Sequence, residues 1–141
     1  MGGYKYLSHT ADIKIEAWGK DLEEAFIEAG KALEDAAIDI NRVEPRQKVE
    51  FEIGGDDLEE LLYNFLEELI IKIDVDRMVF SNFEVEIRER DGRYMLKCRA
   101  YGEKLDMDKH RPKIHIKAAT YHEMEIINRD GGVVIRYVLD I

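Results

Sequence analysis

Eight apolar residues, Leu58, Leu61, Leu62, Phe65, Leu66, Leu69, Ile70 and Ile73, recur at intervals of mostly three and four positions. A helix gathers them on one face, and a stripe that wide has to be covered by another layer of the fold. Asp56 or Asp57 stands in front of it as an N-cap. A second stripe, Leu22, Ala25, Phe26, Ala29 and Leu33, begins after Asp21, with Glu24 at capping-box spacing, so a helix is expected from about 21 to 37.

The rest of the chain alternates with period two, the pattern of half-buried strands. It does so over 13–17, 49–53, 83–87, 94–101 and 114–118, and further strands are expected over 122–128 and 133–139. Gly54-Gly55 turns the chain, and Asp91-Gly92 and Asp130-Gly131-Gly132 are hairpin signals. Residues 39–48, with Asn41 and Pro45, and 102–113, with Pro112, read as loops. The expected fold is α+β, a single domain over residues 1–141. Two helices pack on one face of a mainly antiparallel β-sheet, with a small β excursion around residues 80–113.

The 141 residues suffice to bury a core, and 45% apolar content argues against disorder. No apolar run reaches membrane-spanning length, and the N-terminus shows no apolar leader segment. Cys98 is the only cysteine. A cytoplasmic protein is therefore expected. Charged residues make up 37%, and Gln47 is the single glutamine, a balance expected of a thermophile. The formal net charge is −10. A field of that sign repels phosphate backbones and anionic lipid, so tight nucleic-acid or membrane binding is not expected; basic partners and cations are.

The chain carries no phosphate-binding glycine loop, no nucleophile elbow and no C-x-x-C pair. Cys98, inside an alternating segment, reads as a buried thiol. His9, His110, His115 and His122 fit no helical metal spacing, although His115 and His122 could meet across strands. Asp12 precedes the first clear strand, after Ser8-His9-Thr10-Ala11; it is either a turn carboxylate or a ligand. Asp140 follows the apolar Val138-Leu139, and Ile141 then supplies a terminal α-carboxylate. Carboxylates held close need a cation or a proton to coexist. An all-oxygen set favours calcium or magnesium over zinc.

Tyr6-Leu7-Ser8-His9-Thr10-Ala11-Asp12 resembles the N-terminal H-T-A-D motif of the archeases. Ala17-Trp18-Gly19, Leu22-Glu23-Glu24-Ala25-Phe26 and Asp57-Leu58-Glu59-Glu60-Leu61-Leu62 are similar to further stretches of that family. So are Gly102-Glu103 through His110, Ile116-Lys117-Ala118-Ala119-Thr120-Tyr121-His122 and the ending Val138-Leu139-Asp140-Ile141. The resemblance spans essentially the whole chain, without departure at these motifs. It implies a small acidic partner of the RtcB-type tRNA-splicing ligase. That ligase joins RNA ends bearing a 2′,3′-cyclic phosphate or 3′-phosphate to 5′-hydroxyl ends, using GTP, manganese and a guanylated histidine of its own. The implied role is to promote that guanylation and multiple turnover, without catalysis by the partner itself. The resemblance places metal-binding positions on Asp12, Asp140 and Ile141, with Ca2+ the expected ion and Mg2+ or Mn2+ the alternatives. It leaves open whether His9, Lys117 or His122 take part in activation. A chaperone or modulator of nucleic-acid-processing proteins also travels with the family.

Two rival readings need no resemblance. One is a small metal-dependent hydrolase, with the Asp12/Asp140 cation as Lewis acid and His9 or His122 as base. The other is a structural domain whose carboxylates bind an adventitious ion.

Overall fold

A computed structural model describes residues 2–9 and 11–141, except for the side chains of Ser8 and His9. In chain order the elements are β1 (Gly3–His9), β2 (Asp12–Gly19), α1 (Leu22–Ala37), β3 (Gln47–Gly55), α2 (Leu58–Asp74), β4 (Met78–Arg90), β5 (Arg93–Lys104), α3 (Met107–His110), β6 (Ala118–Ala119), β7 (Glu125–Arg129) and β8 (Gly132–Asp140). The fold is α+β and antiparallel throughout its described strand pairs.

Both long helices start where the capping residues put them. Asp21 accepts the Glu24 N–H at 2.8 Å, and Glu24 returns a carboxylate oxygen to the Lys20 N–H at 2.7 Å. Asp57 accepts from the Glu60 N–H at 2.7 Å, and Glu60 takes the Asp56 N–H at 2.6 Å. In each case a carboxylate satisfies a helix-start donor that has no partner within the helix.

The strands divide into two sheets. One has β2 and β8 at its centre, β1 on the outer edge of β2, and β6 and β7 in succession on the far edge of β8. The other has the order β3-β5-β4. Helix α1 packs against β2, β8 and β4, and α2 against β3 and β6, so both helices touch both sheets. Residues from both helices and both sheets, including Phe26, Leu33, Phe65, Leu69, Leu96, Ile135 and Tyr137, share one buried cluster. Gly102 is required where β4 and β5 meet: a Cβ there would collide with the Val79 carbonyl, beside a one-residue bulge at Ser81.

Several expectations are corrected. Strand β1 is present although its sequence does not alternate. Residues 114–117 alternate but lie in no strand, although the Lys117 N–H bonds the Asp140 carbonyl: Ile114 is half-buried and Ile116 buried in the core cluster, while His115 and Lys117 face out. Alternation reports one buried side, and here a coil lying across the helices supplies that side instead of a sheet. The expected strand over 122–128 starts late. Residues 120–124 stand against only Tyr137 and Val138, forming a bulge between β6 and β7. The 80–113 stretch contributes the β4–β5 hairpin to the second sheet. His115 and His122 have separate partners, Asp74 at 3.6 Å and Glu123 at 3.0 Å.

Candidate metal centre

In β2, Ile13, Ile15 and Ala17 are buried against the helices; in β8, so are Val133, Ile135, Tyr137 and Leu139. The residues between them therefore face the other side of the sheet. The register pairs Ile13 with Leu139 and, one step further, Asp12 with Asp140. Directly opposed residues project to the same face, within side-chain reach of each other. On the opposite flank Ala118 stands across from Asp140, and the Lys117 N–H donates to the Asp140 carbonyl at 2.9 Å. The small Ala118 side chain leaves that flank open. Ile141 follows, partly buried.

Neither Asp12 nor Asp140 has a side-chain hydrogen bond or ion pair among the described residues. Like charges directly opposed across strands destabilise a sheet. Lys14, the nearest cation on the same face of β2, is turned away to Glu123, at 2.7 Å. Among the described residues no three His, Cys, Asp or Glu side chains form a metal cluster. The donor set is thus two side-chain carboxylates plus whatever Ile141 offers. Its chemistry, hard and anionic oxygen, fits a calcium-class ion. The His9 side chain and Thr10 of the H-T-A-D segment lie outside the described residues.

Other polar groups were not legible in the sequence. Glu103, near the end of β5, is nearly buried. It accepts from Lys109 at 2.8 Å, the Glu44 N–H at 3.0 Å and His110 Nε2 at 2.8 Å. Burial alone would raise its carboxyl; these donors outweigh that and hold it at about 2. The buried His110 accepts the Asp106 N–H on Nδ1 at 2.9 Å, which leaves its proton on Nε2. Glu34, wholly buried on α1, has one oxygen on the Phe80 N–H at 3.0 Å and the other without a partner among the described residues. Burial drives its carboxyl well above the usual range. Cys98 is buried, and burial pushes its thiol up to about 12, as befits a packing residue. An apolar cleft of about 190 Å³ lies between Ile70, Ile73, Leu105, Met107, Ile114 and Ile116, smaller than the ~300 Å³ at which ligand pockets usually begin.

The protein is thus of an acidic, two-sheet α+β class with an opposed carboxylate pair at one sheet end. A model described as the archease protein family (MTH1598/TM1083) matches residues 4–141. Protein archease of Pyrococcus abyssi is 48% identical over 132 residues, covering 94% of this chain and 93% of the relative. That of Thermococcus gammatolerans is 42% identical over the full length of both chains. The solution structure of Methanobacterium thermoautotrophicum protein 1598 superposes with a TM-score of 0.87 at 36% identity, covering 99% of each chain. A Thermotoga maritima crystal structure, described as an archease and possible chaperone, superposes with a TM-score of 0.61 at 20% identity, covering 97% of this chain and 96% of that one, and shares the fold. The chain belongs to the archease family.

Proposed function

We propose that this protein is a non-catalytic activator of an RtcB-type tRNA-splicing RNA ligase, promoting the ligase's guanylation by GTP and its multiple turnover. The observation that carries the reading is the register that opposes Asp12 and Asp140, with no cationic side-chain partner among the described residues, on a chain of net charge −10. Asp12 and Asp140 hold a divalent cation, Ca2+ first and Mg2+ or Mn2+ next. In a chain ending at Ile141, its α-carboxylate is the third ligand. A bound cation would supply positive charge and open coordination positions at this end of the sheet. The remaining acidic surface addresses a basic ligase and leaves RNA to it.

The test is ligation of a cyclic-phosphate RNA by the ligase with GTP, with and without this protein. Multiple turnover should rise with the parent protein and fail to rise with Asp140→Ala. Pre-guanylated ligase should complete a single turnover equally well in both cases. A chain extended past Ile141 should stimulate less than the parent. Equal stimulation by the parent and Asp140→Ala at matched folded concentration would overturn the role of the site. No stimulation by any form, or turnover of simple esters by this protein alone, would overturn the activator reading.

A further inference from the structure

Tyr63 on α2 and Tyr121 on the 120–124 bulge lie parallel, with ring planes 6° apart and centroids 4.4 Å apart, an offset stack. Tyr63 covers one face of Tyr121, yet Tyr121 keeps 52% of its surface exposed. The open area is therefore its other face and edge. The stack is held from below: Glu67 accepts the Ala119 N–H at 2.6 Å, and the Thr120 N–H and hydroxyl both donate to the Val138 carbonyl, at 3.2 and 2.9 Å. A large aromatic ring is thus fixed in place and left half-covered.

The charges around it select what covers it. Glu60, Tyr63 and Glu67 follow one another at helical spacing, so they share the face of α2 that meets residues 119–121. Glu60 and Asp57 add their negative field to burial in raising the Tyr121 phenol. Each has one oxygen in the N-cap of α2 and the other without a partner among the described residues. Lys14 and the His122 ring both engage Glu123, at 2.7 and 3.0 Å, and Arg93 engages Asp56, just before α2, at 2.8 Å. A phosphate-bearing nucleotide would meet carboxylates here. A planar cation suits both parts, stacking on the ring and donating to free carboxylate oxygens. Arginine does this with a rigid fork of donors, whereas the ammonium of lysine offers no plane to stack.

We infer that the open face of Tyr121, with Asp57 and Glu60, is a docking seat for an arginine side chain on a basic protein partner. The partner's identity rests on the activator reading above; the seat does not. The test uses two capped pentapeptides, Gly-Arg-Gly-Arg-Gly and Gly-Lys-Gly-Lys-Gly, titrated into protein with 13C-labelled tyrosine rings and followed by NMR. The arginine peptide should shift the Tyr121 ring and bind roughly threefold to fivefold more tightly than the lysine peptide, the range of an exposed cation–π contact. Tyr121→Leu should abolish that preference and Tyr121→Phe should keep it. Glu60→Gln should weaken both peptides. Equal affinity for the two peptides, or shifts that bypass Tyr121, would overturn the seat. A larger Tyr121 shift with guanosine monophosphate than with the arginine peptide would reassign the ring to a nucleobase. No ligase is present, so a ligase without response to this protein would not alter the result.

Discussion

Glu103 and the Asp12–Asp140 pair are both carboxylates at strand ends, and the protein treats them in opposite ways. Around Glu103 it gathers Lys109, His110 and the Glu44 N–H, and Arg46 lies 3.5 Å from the second oxygen. Around Asp12 and Asp140 it gathers no side-chain partner among the described residues, and it engages the nearby Lys14 elsewhere. The first arrangement saturates a carboxylate internally and fixes the connector after β5. The second leaves oxygen charge uncompensated where something from outside can reach it. Carboxylates without internal partners, held by a sheet register, are what a binding site needs and a structural site avoids.

The contrast is tested hardest at His110. His110→Ala should cost about 2–4 kcal/mol in urea unfolding, because it opens a cavity and leaves the Asp106 N–H without its acceptor. The low value of Glu103 adds a pH signature. Its folded carboxyl lies below the ordinary value of 4.5, so its contribution is complete above 4.5 and is lost as pH falls through about 2. A Glu103→Gln protein should lack that part of the acid-induced loss. Unfolding midpoints unchanged by His110→Ala would show that the network holds nothing.

Glu34 is the intermediate case, buried with a single donor. Its folded carboxyl is raised, so its contribution is present below 4.5 and is lost as pH rises. Each pH unit above 4.5, up to the folded value, costs about 1.4 kcal/mol. Glu34→Gln should remove that slope, and urea midpoints between pH 5 and 8 will show it. Parallel curves for parent and variant would mean that the carboxyl is solvated. At the open pair, Asp140→Ala should weaken calcium binding at least about tenfold by calorimetry, roughly 1.4 kcal/mol, with little change in stability. The smallest effect is expected for Asp12→Asn in chelator, a gain of about 0.2–1 kcal/mol as the cross-strand repulsion is relieved. A loss there would mean that Asp12 has a protein partner after all.

Some of this was legible residue by residue. Asp21 with Glu24, and Asp57 with Glu60, announced both helices to within a residue or two, because capping is a contact between near neighbours in the chain. The Leu58–Ile73 stripe and the Asp-Gly hairpins were equally local. Strand β1 was not visible, because its covered side is made of tyrosines, Tyr4 bonding Asp35 and Tyr6 the Ala32 carbonyl of α1, and Leu7 at a bulge breaks the alternation. The 114–117 segment misled for the converse reason: Ile114 is half-buried and Ile116 buried on the core cluster, yet the segment lies in no strand. Asp12 and Asp140 stood out as carboxylates beside apolar runs, and the family resemblance set them together. That they face each other depends on the β2–β8 register, 128 positions apart in the chain.

By itself, then, the sequence determined the helices, most strands, the antiparallel α+β class, the acidic surface and the family, all of which follow from neighbours within a few residues or from motifs read in order. Tertiary structure alone decided the division into two sheets, the protected Glu103, the solitary Glu34 oxygen and the Tyr63–Tyr121 stack. Each of these depends on which distant group arrives beside a side chain. A periodic pattern states only that one side of a segment is covered, and leaves the covering partner to the packing of the whole chain.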